Sequence, residues 1–76
     1  MKLIEIDLLK GDKSNHPDIR KQVQYLAKID KTWFAGFFSK QWYGWNFDGL
    51  YGVGIQFDTP GTNKSRWKQL FEIVDK

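Results

Sequence analysis

The chain predicts an α+β fold, an antiparallel meander sheet of four or five strands with one amphipathic helix at the carboxy end packed on one face. Three observations carry this reading. Apolar and polar residues alternate with period two from Ile4 to Leu8 and again from Gln22 to Ile29. Ten of the thirteen aromatic side chains lie between Trp33 and Phe57, a stretch whose only charged residues are Lys40 and Asp48. Near the end, Trp67, Leu70, Phe71 and Val74 stand at i, i+3, i+4 and i+7, the spacing of one helix face.

Each element follows from a local signal. Ile4, Ile6 and Leu8 alternate with Glu5 and Asp7, giving a first strand with one buried face. Residues 11–17, rich in turn formers and ending at Pro17, predict a loop, after which Pro17 can open a short helical turn. In the second strand Val23, Tyr25, Ala27 and Ile29 share a face, and Asp30-Lys31 supplies a hairpin turn. The third strand, Thr32 to Ser39, is apolar on both sides, with Trp33, Ala35 and Phe37 opposite Phe34, Gly36 and Phe38, so it belongs in the centre of the sheet. A fourth strand sets Tyr43, Trp45 and Phe47 against Trp42, Gly44 and Asn46. Asp48-Gly49 predicts the next reversal, because glycine accepts the positive φ of a primed turn. The fifth strand shows Tyr51, Val53, Ile55 and Phe57 on one side, and Thr59-Pro60-Gly61 breaks it. Thr62 or Asn63 can then cap the closing helix. A small curled β-barrel plus the helix is the alternative architecture, since five glycines between Gly36 and Gly54 suit strong curvature.

Composition bounds the rest. Seventy-six residues predict a single domain over 1–76, small enough that only about 60% of the unfolded surface is buried. Without cysteine there is no disulfide framework and no thiolate metal site, which points to a cytoplasmic protein held by aromatic packing. Glu5 and Asp7 interrupt the first apolar run, unlike a signal-peptide core, and no segment reaches roughly 18 apolar residues, so no membrane association is expected. Twelve basic side chains against nine acidic give a net charge of +3, and the compact basic group is Lys64, Arg66 and Lys68.

Catalytic signatures are missing from this pattern. His16, the only histidine, sits in a loop beside Pro17, without a cysteine to activate or a serine in an elbow motif. Asp12, Asp48 and Asp58 fall at predicted turns, where aspartate commonly bonds its own backbone. The spaced glycines Gly49, Gly52 and Gly54 follow a turn rather than joining a strand to a helix, so the phosphate-cradling context is absent. The expectation is a non-enzymatic protein with no cofactor and no metal.

What remains is an aromatic surplus. A helix of about 12 residues is roughly 18 Å long and 10 Å wide, and covers one face of two or three strands. The other face is then expected to stay open and to hold Trp42 and one aromatic set of the third strand among glycines and amides. The candidate binding residues are Trp33, Phe37, Lys40, Trp42, Asn46, Gln56 and Arg66. Indoles and amides of this kind suit a protein partner or inhibitor target, since Trp, Tyr and Arg dominate interface energetics. The alternative is single-stranded nucleic acid, with bases stacked on Trp33, Trp42 or Phe37 and scattered lysines along the backbone. Carbohydrate held by Trp42, Asn46 and Gln56 is a more distant third, and the same uncovered face also admits a homodimer. The competing structural role for Trp42 or Phe38 is to lie across strand glycines and repair the sheet.

Overall fold

Alternation along this chain becomes a two-faced sheet, one side sealed and the other open. The computed structural model describes residues 1–58 and 65–75. Six strands, β1 (Lys2–Glu5), β2 (Gln24–Ile29), β3 (Thr32–Gln41), β4 (Gly44–Gly49), β5 (Gly54–Gln56) and β6 (Trp67–Val74), form one sheet in the order β1-β6-β2-β3-β4-β5. Every neighbouring pair is antiparallel. A single 3₁₀ turn, Leu8–Lys10, follows β1 and is capped by the Asp7 carboxylate, which accepts from the Leu9 amide at 3.0 Å.

The inner face holds the core. Tyr25, Ala27 and Ile29 of β2, Phe38 of β3, Phe47 of β4, and Trp67 and Leu70 of β6 are buried there with Phe57. Phe38 is the hub, 5.0 Å from Tyr25, 5.1 Å from Phe47 and 5.9 Å from Trp67 between ring centroids. Such offset and edge-on pairs each contribute about 0.5–1.5 kcal/mol beyond area burial. The Trp67 indole donates to the Gln56 carbonyl at 3.0 Å, so the edge strand β5 meets β6 across the interior. The segment linking β1 to β2 fills the concave side, burying Ile6, Leu8, Ser14, His16 and Ile19.

Two glycines permit the close approaches this curl needs. A Cβ on Gly36 would collide with the Asp48 backbone, because β3 and β4 run tightly together there. Gly44, at φ +119°, lies against Ser14, whose carbonyl accepts from the Trp45 amide at 2.6 Å. A side chain at either position has no room.

The α+β expectation is overturned: among the described residues there is no α-helix, and the stretch read as a closing helix is β6, between β1 and β2. The apolar spacing that suggested a helix comes from a bulge. Ala27 pairs with Leu70 and Ile29 with Trp67, so β6 spends one extra residue against β2 and both Trp67 and Leu70 point inward although they stand three apart. Phe71 then points outward. The expected reversal at Asp48-Gly49 is also displaced. Gly49 still pairs with Gly36, and the turn runs through Leu50–Gly52 with Gly52 at φ +83°. The fifth strand is accordingly only three residues long, and Tyr51, expected within it on the side of Val53, Ile55 and Phe57, is in the turn and 96% exposed. Residues 59–64, on which the strand-breaking turn and the helix cap were placed, lie outside the described residues.

Candidate functional site

Register places the outward side chains. From β1 to β4, one row on the outer face holds the pair Leu3 and Ile73 and, one residue beyond the last β2–β6 pair Tyr25 and Glu72, the run Gln24, Phe37, Asp48. The next reads Glu5, Phe71, Leu26, Ala35, and a third, across β6, β2 and β3, reads Gln69, Lys28, Trp33. Directly paired residues share a face, so these rows form a continuous apolar field of Leu3, Ile73, Phe71, Leu26, Ala35, Phe37 and Trp33. Leu3 is 46% exposed, Trp33 44% and Phe37 40%, while Leu26, Ala35, Phe71 and Ile73 are half-buried. The Trp33 and Phe71 rings lie 6.0 Å apart, and the Lys28 ammonium sits 5.9 Å above the Trp33 ring. The rim is mixed in charge, with Lys28 at one side and Glu5 and Asp48 at others.

The residues singled out from sequence fall into separate groups. Trp33 and Phe37 come together on this field. Asn46 and Gln56 are cross-strand partners toward β5, where the Asn46 carbonyl oxygen accepts from the Tyr43 hydroxyl at 3.0 Å and its amide donates to Asp48 at 2.8 Å. The Gln56 amide donates to the Ser14 hydroxyl. Trp42 stands at the β3–β4 hairpin tip, 94% exposed and edge-on to Tyr43 at 5.4 Å, away from Trp33. Lys40 faces the other way, donating to Asn15 at 2.6 Å and lying 4.8 Å over the Trp45 ring. Arg66 is paired with Asp30 at 2.8 Å, beside the β2–β3 turn. Phe38, weighed as an aromatic lying across strand glycines, is core.

Leu3, Leu26, Ala35, Phe71 and Ile73 complete the field and were not singled out as binding residues. Phe71 and Ile73 were hidden by the helical reading of their segment; the short apolar-acidic-apolar run Phe71-Glu72-Ile73, followed by the β-branched Val74, was the available signal.

A cleft of about 710 Å³ opens between β5 and the start of β6, lined by Lys13, Ser14, Tyr43, Gln56, Asp58 and Arg66 among others. Its polar groups are mostly engaged in the bonds just described. His16 is likewise occupied. Its Nδ1 accepts from the Asp18 amide at 3.0 Å, which leaves Nε2 to carry the proton and donate to the Asp7 carbonyl at 2.6 Å. Both ring nitrogens are thus spent on backbone groups. Among the described residues no three His, Asp or Glu side chains converge as a metal site, and no helix is long and apolar enough to cross a membrane.

No family model, curated protein or solved structure matches this chain. Its function is therefore argued from the site alone.

Proposed function

We propose that the protein is a small non-catalytic interaction module that binds another protein through the outer face of its sheet. The observation that carries this reading is the continuous field of Leu3, Leu26, Trp33, Ala35, Phe37, Phe71 and Ile73, which no other described element covers. Contiguous exposed apolar surface with a polar rim is the ordinary mark of a protein interface, and an aromatic pair at its centre is the kind of anchor that dominates binding energy. The charge distribution favours protein over single-stranded nucleic acid. Among the described residues Lys28 is the one cationic side chain in the outward rows of the field, and Glu5 and Asp48 oppose it, so these rows offer a phosphate backbone no cationic track. The engaged state of His16 fits a binding role in place of an acid-base one. The absence of cysteine supports the cytoplasm as its place of action.

The test is capture of a partner from native lysate, with and without nuclease. Trp33→Ala and Phe71→Ser are expected to abolish nuclease-resistant capture, while Lys40→Ala leaves it unchanged. Capture that survives both face substitutions, or that disappears with nuclease, rejects the reading.

A further inference from the structure

We infer that the free edge of β1 is a further docking site, which takes up an extended peptide segment as an added antiparallel strand. The segment it fits carries a cation, two apolar residues and an acid in that order. This edge lies at the margin of the outer face, and the case for it rests on backbone groups and charges, not on the apolar field.

Register fixes which backbone groups the edge offers. The Ile6 amide donates to the Leu70 carbonyl at 2.8 Å, one step beyond the pair Glu5 and Phe71. Hydrogen-bonded and non-bonded pairs alternate in an antiparallel ladder, so Ile4 and Lys2 also bond toward β6, while the amide and carbonyl of Leu3 and of Glu5 point away from it. β1 ends the sheet on its side, and among the described residues those outward groups have no hydrogen-bond partner. The two sets stand roughly 6.8 Å apart, the spacing at which a further antiparallel strand exchanges a pair of bonds with each. Leu3 on the outer side and Ile4 on the concave side are both nearly half exposed, so such a strand gains cover for an apolar side chain on each face. The opposite edge offers less: β5 is three residues long, and its Gln56 carbonyl already accepts from the Trp67 indole.

Charge gives the occupant its pattern. Lys2 and Glu5 stand at the two ends of β1, flank Leu3 and Ile4, and form no ion pair among the described residues. Opposite charges directly across a strand pair stabilise it and like charges destabilise it. An antiparallel segment therefore sets its cation against Glu5, its apolar pair against Ile4 and Leu3, and its acid against Lys2. Other charges near the edge leave this preference intact. Asp7, two residues past Glu5, favours a cation at the same end, and Lys68, which lines a cavity with both, is held by the Ser65 carbonyl at 2.9 Å. Arg20 and Glu72, beside Ile4 on the concave side, neutralise each other at 2.7 Å. Asp75 follows β6, one strand farther than Lys2 from the incoming segment. A second copy does not supply the pattern. Two-fold pairing of β1 with itself opposes only residues of the same face, and Lys2 and Glu5 lie on opposite faces. The occupant is a segment of a different chain.

Titration of the intact chain with two capped synthetic peptides, followed by amide hydrogen exchange in nuclear magnetic resonance, tests this. One is acetyl-Thr-Lys-Val-Val-Glu-Thr-amide, with the fitting order, and the other is acetyl-Thr-Glu-Val-Val-Lys-Thr-amide, with the order reversed. At millimolar concentration the first is expected to slow exchange at the Leu3 and Glu5 amides, and to bind about fivefold more tightly than the second. The double exchange of Lys2→Glu with Glu5→Lys is expected to invert that preference. Leu3→Pro deletes an outward amide hydrogen without removing a bond to β6, and is expected to abolish binding, whereas Leu3→Ala keeps the amide and only weakens it. Thermal unfolding checks that each variant folds, and the inversion decides should Leu3→Pro not fold. Exchange at Leu3 and Glu5 that neither peptide slows, an equal or reversed preference in the wild type, a preference that the double exchange does not invert, or equal binding by folded Leu3→Pro and Leu3→Ala overturns the inference. Trp33→Ala is expected to leave peptide binding unchanged. Its loss would place the peptide on the outer face and overturn the edge site, whereas lysate capture tests the outer face separately.

Discussion

Tyr25 shows how one side chain ties the plug segment to the sheet. Its ring is buried against Phe38, and its hydroxyl accepts from the Arg20 amide at 3.0 Å while reaching the Asp18 carbonyl at 3.4 Å. Burial raises its pKa above the ordinary 10.0, because the phenolate would lose its hydration. A group whose pKa is raised on folding contributes stability that is fully present below its unfolded value and is lost as pH rises through the folded one. Urea unfolding of the wild type is therefore expected to weaken on the alkaline side of pH 10. In Tyr25→Phe that limb should flatten, with a loss of about 1 kcal/mol at neutral pH from the two abandoned backbone groups. An alkaline limb identical in both proteins would place the titration elsewhere. Trp42 is the opposite case. At 94% exposure its truncation to alanine is expected to change unfolding free energy by no more than about 0.5 kcal/mol.

At the scale of elements, β6 decides the architecture. A helix stripe would make Trp67, Leu70, Phe71 and Val74 equivalent, whereas the bulged strand divides them, with Trp67 and Leu70 sealed in the core and Phe71 on the outer face. Leu70→Ala is expected to cost about 2–5 kcal/mol and Trp67→Ala about 3–5 kcal/mol, with Phe71→Ala well below both. Equal costs at Leu70 and Phe71, or a helical far-ultraviolet dichroism spectrum, would count against the strand. The same element shows why sequence reading succeeded in one half of the chain and failed in the other. Faces in β2 and β3 were legible because alternation there is unbroken: Tyr25, Ala27 and Ile29 point in, and Trp33 and Phe37 point out. The bulge between β2 and β6 resets the period by one residue, and a period-two pattern with one insertion mimics a helical one over four positions. Turn position was obscured for a related reason. Asp48-Gly49 carries a strong hairpin signal, yet the room that Gly36 offers β4 lets the pairing extend through Gly49 before the chain reverses.

At the scale of the whole molecule, the four indoles report on the two sides of the sheet. Trp67 is sealed, Trp45 is half-buried beneath Lys40, and Trp33 and Trp42 meet solvent at different places, one on the outer face and one on a hairpin tip. The aromatic surplus that pointed to an open face was readable from composition, but its location was not, because the concave side is filled by the β1–β2 connection and needs no helix. Acrylamide quenching of single-tryptophan proteins, each keeping one indole with phenylalanine at the other three positions, resolves these environments. In dilute solution Trp33 and Trp42 are expected to be quenched readily and Trp67 hardly at all. Trp45, half-buried beneath Lys40, is expected to fall between these extremes. Ready quenching of Trp67, or protection of Trp33 in dilute solution, would contradict this division of the indoles between the two sides of the sheet.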